Sequence, residues 1–106
     1  MRSYTPAERR ERARLVLRGS RQAIADADTS RFDAQIERLD AKAEERGALE
    51  VAVMRREVAT VEQAAATARA QERLAPRSER AAARKARQEA DREAARVRKQ
   101  ARRYGI

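Results

Sequence analysis

The chain has 106 residues and a net charge of +9, from 26 Lys and Arg against 17 Asp and Glu, with 41% of residues charged and 42% hydrophobic. Twenty-five residues are alanine and only three are glycine, with one Phe, two Tyr and no Trp, a composition that suits long helices, starves a sheet and cannot build a glycine-rich phosphate loop. Cys, His and Asn are absent, which removes disulfides, thiolate and imidazole metal ligands, the commonest general base and the commonest thiol nucleophile.

The expectation is an all-α, non-enzymatic protein that needs no cofactor, no metal and no small-molecule substrate. The longest bulky apolar runs, Leu15-Val16-Leu17 and Val51-Ala52-Val53-Met54, are far short of a signal-peptide core or a membrane span. A cytoplasmic location and no membrane partner are therefore expected.

The first predicted helix begins at Pro6. Thr5 can cap it, proline fits its first position, and Glu8 falls where a capping box needs a carboxylate. Its apolar positions Ala13, Val16, Leu17, Ile24 and Ala27 fall on one face, expected to be the packed one, and the helix is expected to run to about Ala27. The cap-forming and turn-forming stretch around Asp28 then predicts a turn, with Ser30 and Asp33 spaced as a second capping box.

The second predicted helix covers residues 30 to 75. Phe32, Ile36, Leu39, Ala43, Gly47, Val51, Met54, Val58, Val61, Ala65 and Ala68 recur in steps of three and four, so one apolar face persists throughout. Consecutive steps of four around Gly47 are a stutter in a heptad-like pattern, and the glycine is a candidate kink. Arg10, Arg14, Arg18 and Arg21 form a row on the first helix, and Asp33, Glu37, Asp40 and Glu44 form one on the second. A short turn would fold the helices into an antiparallel hairpin or coiled coil, with apolar seams meeting and the two charged rows facing each other. The first helix is too short to cover its partner past about Val51. Val51, Met54, Val58, Val61 and Ala65 are thus candidates for self-association into a homo-oligomer, or for packing against the last helix.

Ala75-Pro76 ends the second helix, since the residue before a proline disfavours helical geometry. Residues 1 to 76 are read as the hairpin, and residues 77 to 106 as a basic amphipathic helix, near 78 to 103, with a short tail. From Arg77 onward there are eleven Lys and Arg against four Asp and Glu, whereas residues 22 to 76 carry eight against eleven. Ala83, Ala86, Ala90, Ala94, Val97, Ala101 and Tyr104 line one arc of this helix. Arg80, Arg84, Lys85, Arg87, Arg92, Arg96, Arg98, Lys99, Arg102 and Arg103 fill about half its circumference, with Glu89 and Glu93 at the margin.

A one-sided cationic helix fits the phosphate backbone of nucleic acid, DNA or RNA, where counterion release drives binding irrespective of sequence. Base-edge readout is not expected, because the chain has no Asn and no leucine heptads follow the basic stretch. Membrane-surface binding is disfavoured by the lack of Trp, Phe or Leu on the opposite arc. The alternative is a protein-interaction adaptor or assembly scaffold whose basic helix docks on an acidic partner.

Overall fold

The capping signals before Pro6 act as the sequence predicts. In the computed structural model, which describes residues 1–25 and 28–106, helix α1 spans Pro6–Ile24. The Glu8 backbone N–H donates to the Thr5 hydroxyl and the Thr5 N–H donates to the Glu8 carboxylate, each at 3.2 Å. Two of the helix's orphan donors are thereby satisfied. Residues 26 and 27, where the first helix was expected to end, lie outside the described residues.

Helix α2 spans Ser30–Leu74 and runs unbroken through Gly47. Its entry differs from the Ser30–Asp33 box read in the sequence. The Asp28 carboxylate accepts from the Ser30 N–H (2.9 Å) and hydroxyl (3.0 Å), while the Thr29 carbonyl accepts from the N–H groups of Phe32 and Asp33. The capping groups therefore sit just before the first helical residue. A single 3₁₀ turn, Arg77–Glu79, follows Pro76 and leads into α3, Arg80–Ala101. Among the described residues there are three α-helices and no strand.

The chain divides into two packing units, Met1–Glu50 and Val51–Ile106, and α2 contributes residues to both. In the first unit, Arg12 pairs with Asp40 and Glu8 with Arg46, so residue numbers rise along α1 as they fall along α2, and the helices are antiparallel. Leu15, Leu39 and Ala43 are buried there.

The buried side of α1 is not the one expected from its apolar residues. Leu15 is 6% exposed, whereas Leu17 is 53% and Ile24 88%, and Val16 is also exposed. The inward column is Glu8, Arg12, Leu15, Gly19 and Gln22, a set with one large hydrophobe. Two of its polar members, Glu8 and Arg12, pair with α2. Arg46 donates to both Glu8 oxygens at 2.9 Å, and Arg12 donates to both Asp40 oxygens at 2.8 and 3.3 Å. Gly19 faces Phe32 of α2, and a Cβ at Gly19 would make an ordinary contact with the Phe32 Cβ at 3.7 Å.

The facing charged rows are corrected in the same way. Of the four carboxylates, Asp40 is held by Arg12 and Arg2, and Glu44 by Arg2. Arg10, Arg14, Arg18 and Arg21 are exposed and form no ion pair among the described residues.

Residues 1–5 form a strap over α2 that the sequence does not announce. The Ser3 N–H donates to the Ala43 carbonyl at 2.9 Å, and the Ser3 hydroxyl to Glu50 at 2.8 Å. Arg46 donates to the Ser3 carbonyl at 2.8 Å, and the Tyr4 hydroxyl donates to Asp40 at 2.6 Å. Gly47 lies beneath, buried, where a Cβ would come within 1.9 Å of the Met1 carbonyl oxygen. The glycine that reads as a stutter or kink is thus the seat of the strap.

Arg12 and the Tyr4 hydroxyl hold the Asp40 carboxyl down at about 2, below its ordinary 3.8. Arg46 and the Thr5 N–H lower Glu8 from 4.5 to about 2. A carboxylate with a depressed folded-state pKa adds stability that is present above its unfolded pKa and lost as pH falls through the folded value. Asp40→Asn should therefore lower the melting temperature at pH 7, and the gap to the wild type should close between about pH 4.5 and pH 2. A gap that stays constant over that range would show Asp40 titrating alike in the folded and unfolded chain.

Candidate phosphate-contact surface on helix α3

α3 packs through the alanine arc read from its sequence. Ala94, Val97 and Ala101 are buried, and Ala83, Ala90 and Tyr104 are half-buried; Ala86 is exposed. Alanine on this arc lets helix backbones approach closely, and Val97 is its largest fully buried side chain. In the second unit, Glu62 pairs with Arg98, Arg69 with Asp91 and Glu72 with Arg87, so α3 is antiparallel to the C-terminal part of α2. The same part of α2 carries Ala65, which is buried, and Val51, Met54, Val58 and Val61, which are half-buried. Val58 lines a groove with Ala101 and Ile106. Ile106 is turned back there by Gly105, whose φ of +74° is easy only for glycine, and its N–H donates to the Ala101 carbonyl.

The ten cations on α3 separate into two sets. Arg87 donates to Glu72 at 2.6 Å and to Asp91 at 3.3 Å; Arg98 donates to Glu62 at 3.0 Å; Arg84 lies 3.9 Å from Glu72. Arg96 pairs with Glu93 of its own helix. These four are at least partly neutralised within the fold. Their carboxylate partners respond: Arg96 lowers the pKa of Glu93, and at Asp91 the opposing effect of burial is outweighed by bonds from Arg87 and Arg69.

Arg80, Lys85, Arg92, Lys99, Arg102 and Arg103 are exposed and form no ion pair among the described residues. Lys85, Arg92 and Lys99 recur every seven residues, with Arg103 four further on, in one column opposite the buried arc. Successive members at seven-residue spacing are about 10 Å apart along the helix. The column is free because it faces away from α2, whose Glu62 and Glu72 reach only the flank of α3 that carries Arg84, Arg87 and Arg98.

Sequence reasoning did not pick out Glu62, Arg69, Glu72 and Asp91 as the residues that divide the cations. A signal for the α2 members exists: Glu62, Arg69 and Glu72 stand at steps of seven and three beside the apolar stripe. Among the described residues, no cluster of acidic side chains could hold a metal ion, and no helix is long and apolar enough to cross a membrane. No family model, no curated protein and no solved structure matches the chain.

Proposed function

We propose that the chain is a small, non-enzymatic, nucleic-acid-associated accessory protein that grips phosphate backbones, of DNA or RNA, through the outward column of α3. The observation that carries this reading is that Lys85, Arg92, Lys99 and Arg103 stay exposed and without carboxylate partners after the other flank of the helix has been paired. A column of mobile cations on a rigid helix displaces condensed counterions from a polyanion, and this entropic gain needs no base contact. Specific base readout is not part of the reading, since adenine's usual partner Asn is absent from the chain. The reading includes a hairpin of coiled-coil type between α1 and α2, action in the cytoplasm, and self-association through the half-buried Val51, Met54, Val58 and Val61; Ala65, expected with them, is instead buried within the chain.

The test is a titration against a random-sequence duplex over a salt series. The four column residues should together contribute about −3.6 to the slope of log affinity against log salt, at roughly −0.9 per phosphate contact. Changing Lys85, Arg92, Lys99 and Arg103 to Gln keeps helix propensity and should flatten the slope by about that amount, with affinity falling alike for all sequences. No binding by the wild type at about 50 mM salt, or a slope untouched by the four changes, would turn the search toward an acidic protein partner.

A further inference from the structure

Arg10, Arg14, Arg18 and Arg21 on α1 are not used by the fold, for the arginine of α1 that reaches a carboxylate of α2 is Arg12. Nor are they an isolated row. Glu11 shares a side of α1 with Arg14 and Arg18, three and seven residues on, and it lines a groove whose other wall carries Arg38 and Lys42 of α2. All six cations are exposed, and none forms an ion pair among the described residues. The carboxylates on this side, Glu11 in the groove and Glu45 at helical spacing from Arg38 and Lys42, are exposed and two in number against six cations, so the face keeps a net positive charge.

We infer that this two-helix face of the first unit is a second phosphate-contact surface, so that the chain holds nucleic acid through α1 and α2 as well as through α3. The inference rests on the phosphate-backbone reading given above. A polyanion suits the face because it needs only a density of like charge, with steps of about 6 Å between arginines four residues apart. An acidic protein would have to match a broad groove whose one apolar residue, Leu39, is buried.

The experiment uses the full chain and the same duplex titration. Arg10, Arg14, Arg18 and Arg21 are changed together to Gln, and in a second variant together to Lys. The Gln variant should flatten the salt slope by about 2 to 4, and the Lys variant should keep it, because phosphates respond to charge. Removing Arg55 and Arg56, exposed cations that belong to neither proposed surface, should leave the slope unchanged and so excludes an effect of net charge alone. A slope unaltered by the α1 changes but flattened by those on α3 would overturn this inference and leave the α3 reading standing. Failure of the wild type to bind the duplex would overturn both. Tighter binding to polyglutamate than to duplex, lost in the Gln variant, would assign the face to an acidic protein and also overturn it. Circular dichroism melting should match the wild type for each variant, since the four arginines make no ion pair.

Discussion

Leu39→Ala should destabilise the protein by about 2 to 5 kcal/mol, whereas Glu37→Ala should leave stability within about 0.5 kcal/mol. Leu39 is one of two bulky side chains buried in the first unit, and its neighbours in that core, Leu15 and Ala43, cannot expand into the space its truncation would leave. Glu37 is exposed and forms no ion pair among the described residues, so its removal takes away only a solvated charge. A domain of this size has about 5 to 15 kcal/mol of stability in total, and the Leu39 change should lower the melting temperature by about 10 °C or more. Thermal unfolding of the two variants side by side checks this. Equal effects would place Leu39 in solvent and the core elsewhere.

Gly47→Ala should destabilise the full chain by about 1 to 3 kcal/mol, although alanine is the better helix former by about 1 kcal/mol. The added methyl would meet the backbone carbonyl of Met1 at 1.9 Å. Something has to move, and the obstacle is main chain rather than the end of a flexible side chain. Displacing the strap forfeits the bonds from the Ser3 N–H to Ala43 and from Arg46 to the Ser3 carbonyl. Once residues 1–3 are removed, the same substitution should become stabilising by up to about 1 kcal/mol, because only the propensity difference remains. The double-mutant cycle reads this reversal directly. Destabilisation of similar size in both backgrounds would mean that Gly47 serves the helix itself and not the strap.

Much of the secondary structure was legible because its causes are local. The Thr5, Pro6 and Glu8 cap, the three- and four-residue steps from Phe32 to Ala68, and the Ala75-Pro76 break each act over a few residues; α1 begins at Pro6, and α2 and α3 begin and end within a few residues of where these signals put them. The alanine arc of α3 was legible for the same reason. Its apolar and charged residues occupy separate arcs, so only one side could be buried.

α1 is where this logic fails. Its aliphatic residues Val16, Leu17 and Ile24 share a face, yet the packed column is Glu8, Arg12, Leu15 and Gly19. Hydrophobic periodicity assumes that burial follows apolar content. Here two ion pairs and one buried leucine mark the packed side, and the ion-pair partners Asp40 and Arg46 lie 28 and 38 residues away in the chain.

The charges divide along the same line. The sequence by itself determines a helical chain, basic at both ends and acidic in the middle, with a cationic arc opposite an alanine arc on its last helix. Which of those cations are neutralised is a tertiary matter. Glu62 and Glu72 reach Arg84, Arg87 and Arg98 because α3 lies antiparallel to α2, and they leave Lys85, Arg92, Lys99 and Arg103 in solvent. Likewise, Arg12 and Arg2, rather than the expected row, take the carboxylates of the first unit. An ion pair depends on a few ångströms of distance between residues far apart in sequence, and a row of like charges on one helix does not specify that distance.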